Sequence, residues 1–284
     1  MRVAVLYDIH GNLPALEAVL AEMQKSDIDR VVVGGDVLPG PLPCETLDLL
    51  LGLDFPVEFI YGNGELAVLA QVAAGDSGEV TYSGTVSGEP LPEPLQGIIR
   101  WTAGQLRADE EDAVRAWPGT VEIDHPDLGG VLFCHATPWS ETDGFTRLTS
   151  EESLLPVFSG LRSKLVVCGH THMQFDRMVG TTRVVNAGSI GMPFGKPGAD
   201  WLVLAGNIEL RHTPYDLASA ANRVRATQYP QAEEFASGSI LAPPSEEDMA
   251  QAFANVSFGK DTAQSPPNKR LQPTAASAIA SRRG

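Results

Sequence analysis

Lys164-Leu165-Val166-Val167-Cys168-Gly169-His170-Thr171-His172 is the stretch on which the fold of this chain turns. A short apolar run rich in valine reads as a buried strand, and it ends in a glycine and two histidines one residue apart. In extended backbone, residues i and i+2 point the same way, so both imidazoles can face one place. The arrangement recurs upstream. Residues 3–7 run into Asp8-Ile9-His10, 31–33 into Gly34-Gly35-Asp36, 57–61 into Gly62-Asn63, and 131–134 into His135. Four of the six histidines thus stand at strand ends, together with two aspartates and an asparagine.

The whole chain suits such a design. Its 284 residues allow one large domain or two small ones, and 43% hydrophobic residues suffice for a substantial core. No apolar run approaches the ~18 residues of a membrane span. The first residues lack a signal-peptide layout, so a cytoplasmic location is expected. Three cysteines (44, 134, 168) without a Cys-x-x-Cys pair argue against a disulfide framework. Cys134 and Cys168 read as small core residues. A net charge of −16 disfavours duplex nucleic acid, which rewards a basic footprint. It leaves room for a small phosphorylated or phosphodiester substrate, because bound divalent cations invert the local potential.

In order, the pattern predicts an α/β opening: strand 3–7, a turn at Gly11-Asn12, and a helix over 13–23. A strand at 31–34, a helix at 44–51, a strand at 57–61 and a helix at 65–73 follow. Residues 75–118 read as a helical insert, either a cap over a site or ordinary covering helices, with helices at 98–106 and 109–116. From residue 120 the pattern turns to short strands, at 121–123, 131–134, 165–168, 174–179, 183–186, 201–205 and 208–212. Helices are expected at 151–161 and 216–227. One domain is expected over 1–240, then an extension over 241–284 that is largely disordered apart from a weak helix at 246–255.

Asp8, His10, Asp36, Asn63, His135, His170 and His172 form a mixed nitrogen and oxygen donor set without thiolate. Such a set suits Mn, Fe, Zn, Co or Ni. Seven donors exceed one tetrahedral site and suit two ions sharing a carboxylate, the usual device for phosphoryl displacement.

Asp-x-His, Gly-Asp, Gly-Asn-x-Glu, a strand-end His and Gly-His-x-His, in this order over residues 2–211, resemble the calcineurin-like metallophosphoesterases. The likeness is strongest to their small bacterial and archaeal phosphodiesterase branch, which also carries a motif like Asn186-Ala187-Gly188-Ser189. The resemblance implies a four-layer αββα sandwich and two divalent ions, manganese being the first choice. Asp8, His10, Asp36 and His172 would hold one ion; Asp36 would bridge to a second, completed by Asn63, His135 and His170. It implies hydrolysis by a hydroxide between the ions. Asp36, Asn63 and His135 are the expected catalytic residues.

Asn12, Asn63 and Ser189 are the expected substrate contacts, although Asn12 also suits a strand-to-helix turn and Ser189 a loop support. One departure is informative. Where many members have a leaving-group acid, His, this chain has Gly64. That suggests a more open mouth and substrates with good leaving groups, favouring phosphodiesters or nucleotide-like esters. Glu65 is a candidate replacement acid. Alternatives are a phosphomonoesterase or protein phosphatase, a dinucleoside polyphosphate hydrolase, and a non-catalytic scaffold.

Outside the set, His125 reads as a solvated turn residue and His212 as structural. Arg147 and Lys196 read as surface groups in preference to phosphate clamps. The tryptophans read as core or cap packing, Trp139 being the one placed to stack on an aromatic substrate group.

Overall fold

Alternation along the first strand decides the layering. The computed structural model describes residues 1–75 and 91–254. Within β1 (Val3–Leu6), Val3 and Val5 point to one side with Tyr7 just beyond, while Ala4 and Leu6 point to the other; all are buried. A strand buried on both faces must lie between two packed layers.

The first sheet has the order β10-β9-β1-β2-β3. Here β2 is Arg30–Val33, β3 Val57–Phe59, β9 Ala199–Leu204 and β10 Ile208–Thr213. β1, β2 and β3 run parallel, and β9 and β10 complete the sheet antiparallel. The second sheet has the order β4-β5-β6-β8-β7. Its strands are β4 (Thr120–His125), β5 (Gly129–Cys134), β6 (Leu165–Cys168), β7 (Phe175–Val179) and β8 (Thr182–Asn186). β5, β6 and β8 are parallel at its centre.

Val3, Val5, Tyr7 and Leu202 meet Phe133, Val167 and Val185 in the core between the sheets. Across it the Tyr7 hydroxyl reaches the carbonyls of Cys134 and Val167, both at 3.0 Å. That buried hydroxyl is therefore satisfied, where an unpaired one would cost about 1–3 kcal/mol.

The outer face of the first sheet packs under α1 (Leu13–Met23), α2 (Pro43–Leu51), α3 (Asn63–Ala74), α4 (Glu93–Gln105) and α5 (Ala108–Arg115). The outer face of the second packs under α6 (Glu151–Phe158). The result is the expected four-layer αββα sandwich.

Parallel strands with crossover helices gather their carboxyl ends on one edge. That edge carries every ligand-type residue named above. Several helices differ in extent from the periodicity; α4 begins at Glu93, five residues before the expected 98. α3 begins at Asn63, two residues earlier than its apolar pattern, so Asn63 sits in the first helical turn. α6 stops at Phe158, where Ser159 turns to extended backbone and Gly160 takes a positive φ.

The chain then adds α7 (Leu217–Arg225), α8 (Ala232–Phe235) and a π-helical turn, Ala236–Leu241. These pack on Ile98 of α4. Residues 246–254, expected only as a weak helix, form α9 (Glu246–Ala254), and its Glu246 pairs with Arg147 at 2.7 Å. The remainder of the expected disordered extension, 255–284, and residues 76–90 of the expected insert lie outside the described residues. No helix among the described residues is long and apolar enough to cross a membrane.

Candidate metal centre

The strand ends do not simply stop; they break into left-handed backbone. Asp8, His10, Asp36, His170 and His172 have φ of 53°, 47°, 52°, 66° and 55°. Only Asp27 shares this region among the other described residues that are not glycine. Such conformations cost of order 1–3 kcal/mol each and gather at functional sites. Asp, Asn and His tolerate them better than most types.

Both aspartates are held the same way. Asp8 Oδ2 accepts from the backbone N–H of His170 at 2.8 Å, and Asp36 Oδ1 from that of Gly64 at 2.7 Å. Each keeps one oxygen for the centre. Asp36 Oδ2 lies 3.8 Å from His10 Nε2 and 3.5 Å from His135 Nε2, between the two halves of the site. Asp8 Oδ1 lies 3.5 Å from His172 Nε2, is buried, and has no hydrogen-bond partner.

The imidazoles are oriented from behind. Nδ1 of His10, His135 and His172 faces the carbonyls of Pro39, Gly34 and Met192 at 3.3, 3.0 and 2.9 Å. A carbonyl can only accept, so Nδ1 carries the proton and Nε2 is turned inward, the usual arrangement behind a metal-bound histidine. The Nε2 atoms of His10 and His172 then stand 3.3 Å apart. At that distance a proton on one nitrogen or a cation between or beside them keeps the two from repelling. His135 Nε2 is 3.1 Å from Asn63 Oδ1.

Two groups of donors emerge: Asp8, His10 and His172, and Asp36, His135 and His170. In each, the ligand atoms lie within 4.8 Å of one another. An orphaned carboxylate oxygen, converging imidazole nitrogens and a hard-to-borderline donor set all fit divalent metal ions.

The charges agree. Burial opposes ionisation of Asp36 and Asp8, yet neighbouring histidines hold both below the usual carboxylate range. Against burial, Asp36 lifts His135 to about 10, and Asp8 likewise raises His172. Burial, with His135 nearby, drops His170 to about 4, and burial lowers His10.

Several expected residues have other employment. Asn12 is fully buried; its Oδ1 caps α1 at Ala15 N–H, and its Nδ2 donates to the Gly191 carbonyl and the Tyr215 hydroxyl. Both ends of the amide are thus engaged in the fold, where it supports the strand-to-helix turn. Ser189 Oγ donates to the Asp8 carbonyl at 2.7 Å and accepts from Met192 N–H at 2.8 Å, so it too braces the loops from beneath.

Gly64 does not open the mouth by lacking a side chain. A Cβ there would overlap the Leu38 carbonyl and stand 2.9 Å from Asp36 Oδ1, so backbone already fills the position. Burial and Asp36 push Glu65 up to about 7, a value suited to an acid. Yet its two oxygens accept from the backbone N–H groups of Asp36, Leu38 and Gly62 at 2.8, 2.9 and 2.7 Å. Glu65 thus ties the loop after β2 to the loop after β3.

His125, expected in solvent, is 3% exposed. β4 runs two residues further than its pattern, and the ring packs under Met1, with Nε2 2.9 Å from the Met1 carbonyl. Trp139, by contrast, is 43% exposed and pinned to α6 through its indole N–H on the Val157 carbonyl, outside the core and away from the cavity.

Two braces escaped the sequence reading. Glu65 is one. Asn186 is the other: its Nδ2 donates to the Gly169 carbonyl at 2.6 Å and to Thr171 Oγ1, holding the Gly-His-Thr-His loop. The Gly62-Asn63-Gly64-Glu65 run, read as a capping box, was the available signal for the first.

Beside His10, Asp36, Asn63 and His172 a cavity of about 480 Å³ opens, walled by α4, the loop Met192-Pro193-Phe194 and the segment from Tyr229 to Ser239.

Two stacked sheets with imidazoles and carboxylates converging at one edge define a protein built around a candidate metal centre. Residues 1–211 match the calcineurin-like phosphoesterase superfamily domain, and the chain belongs to that family. Its family chemistry is hydrolysis of phosphoric esters.

Among solved structures, a metallophosphoesterase from Sphaerobacter thermophilus superimposes with TM-score 0.65 at 20% identity, covering 84% of this chain and 99% of that one. A hypothetical protein from Pyrococcus horikoshii OT3 gives 0.71 at 19%, covering 86% and 99%. At these identities the likeness is one of fold. No curated protein matches the chain in sequence.

Proposed function

We propose that this protein is a phosphodiesterase working with two divalent ions, manganese first and iron, nickel, cobalt or zinc compatible. Asp8, His10, Asp36 and His172 hold one ion, and Asp36, Asn63, His135 and His170 the other. The observation that carries the reading is the position of Asp36 Oδ2, within 3.8 Å of a histidine from each donor group while its Oδ1 is fixed.

When bound, the ions supply Lewis acidity and lower the pKa of water. The chain's own groups do the rest. The carbonyls behind Nδ1 fix the imidazoles, and the N–H groups of Gly64 and His170 fix the carboxylates. Asn63, at the first turn of α3, offers its amide toward the phosphate. In the reaction, water oxygen forms the new P–O bond and one ester P–O bond breaks. One water proton ends on the departing alcohol and the other leaves with the monoester product.

Diesters are favoured over monoesters and polyphosphates because no Lys or Arg lines the cavity among the described residues. Arg147, a conceivable clamp, is occupied by Glu246. A non-catalytic scaffold is disfavoured because all seven donors are present and oriented. A cytoplasmic setting belongs to the same proposal; buried free Cys134 and Cys168 are consistent with it.

The test is hydrolysis of bis(p-nitrophenyl) phosphate against p-nitrophenyl phosphate, by metal-stripped protein with each ion restored. Metal-dependent turnover favouring the diester is expected, with Asp36→Asn losing at least ~100-fold while staying folded. Monoester preference would overturn the diesterase reading. Inactivity with two ions bound would favour the scaffold.

A further inference from the structure

The cavity beside the candidate centre has a lining that phosphate chemistry does not require. Its walls present Leu95, Ile98 and Ile99 from α4, Phe194 from the 192–194 loop, Tyr229 after α7, and Phe235 from α8. These come from three separate parts of the chain. Ile98, Tyr229 and Phe235 belong to one buried cluster with α7, so that wall is packed from behind. Phe194 lies nearly parallel to the His172 ring, with centroids 5.4 Å apart, which joins the apolar surface directly to a candidate ligand.

The polar side chains on the wall are few. Among the described residues, Glu234, Gln231, Ser239 and the Tyr229 hydroxyl are its polar groups away from the candidate centre, and none is cationic. Ser239 and Gly238 reach it on the π-helical turn, a rare form that often marks functional sites. A volume of about 480 Å³ falls in the range of small-molecule sites, roughly 300–1,000 Å³.

We propose that this cavity receives one ester arm of the substrate, and that the arm is a neutral hydrocarbon group, alkyl or aryl. This rests on the phosphodiesterase reading and narrows it. A second phosphate or a polyphosphate chain would enter an apolar chamber with no compensating cation among its described wall residues and with the Glu234 carboxylate there. Burying an unpaired charge there is costly. A hydrocarbon arm loses only water, and each methylene taken up strengthens binding about fourfold at full burial.

Full-length, metal-loaded protein is given p-nitrophenyl alkyl phosphodiesters with methyl, butyl, hexyl or 5′-adenosyl arms, all with the same leaving group. In parallel, calorimetry measures binding of methyl, butyl and hexyl phosphonate monomethyl esters, which are not hydrolysed. The proposal expects kcat/KM and affinity both to rise at least tenfold from methyl to hexyl, and hexyl to exceed adenosyl. Leu95→Asp, at a partly exposed position of the wall, should lower the hexyl-to-methyl ratio several-fold in both measurements.

Metal-dependent turnover that is flat with arm length, or that favours the adenosyl arm, would overturn the proposal and leave the phosphodiesterase reading standing. Affinity rising with length in a protein that hydrolyses none of the diesters would support the cavity's role and overturn the activity. Flat binding without turnover would overturn both.

Discussion

Gly64→Ala is the substitution that tests the architecture of the centre most directly. Sequence reasoning treats this position as one where a leaving-group His is missing. The structure fills that position with backbone. A Cβ on Gly64 falls well inside 3.0 Å of the Leu38 carbonyl, and that neighbour is backbone, so it cannot swing aside. The same Cβ presses on Asp36 Oδ1 at 2.9 Å, the oxygen that Gly64 N–H holds at 2.7 Å.

Overpacking a tight site typically costs about 1–3 kcal/mol. Loss of the Gly64 to Asp36 bond, which is charge-assisted, adds about 1.5–3 kcal/mol where it breaks. Relief through movement of the 38–39 loop would cap the sum, so we expect about 2–4 kcal/mol. Urea unfolding of metal-stripped protein measures it, as a lower midpoint with unchanged slope. Metal affinity should fall with it, by roughly 10–100-fold, because the bridging carboxylate loses its anchor. Gly64→His should be worse on both counts and gain no activity. If Gly64→Ala stays within 0.5 kcal/mol of wild type and binds metal normally, or Gly64→His raises turnover, the close-approach reasoning is wrong (~0.5 kcal/mol being the usual surface scatter).

Two further outcomes follow from the same geometry. Glu65→Gln should weaken metal binding by about 10–100-fold, because an amide cannot accept from three N–H groups; unchanged metal affinity with a lower kcat would instead make Glu65 the acid. Metal loading near neutral pH should release roughly one to two protons. His135, held up to about 10, and His172, also raised, must shed theirs, whereas His170, lowered to about 4, is already neutral. Apparent affinity should therefore rise with pH; calorimetry in buffers of different ionisation enthalpy counts the protons, and a count of zero would contradict the charge pattern.

The strands and the donors were legible because one physical fact produces both signals. A parallel strand buried on two faces needs a continuous apolar run, and its carboxyl end is where a polar residue first escapes the core. Residues 165–172 show this most openly.

What could not be read was the direction of side chains within the loops. Asn12 and Ser189 have the right type and place, but their distant partners, Gly191 and Tyr215 for Asn12 and the Asp8 carbonyl for Ser189, lie at the other end of the chain. His125 sits in a run that looks like a turn, and only the distant Met1 carbonyl buries it. The cavity was invisible for the same reason. Its walls come from α4 and from residues 229–239, amphipathic pieces that separately resemble ordinary covering helices.

The left-handed backbone at Asp8, His10, Asp36, His170 and His172 has a consequence for how this protein can be altered. These five positions are where the molecule surrenders conformational comfort so that donors converge before any ligand arrives. Their residue identities therefore answer two demands at once, coordination and tolerance of a disfavoured φ. Replacement by alanine confounds the two, since it removes a donor and worsens the backbone together. Glycine at the same positions relaxes the chain while deleting the donor, so a variant could become sturdier as it becomes inert. In that sense the centre is the fold's least settled region by construction, and selection for robustness alone would dismantle it first.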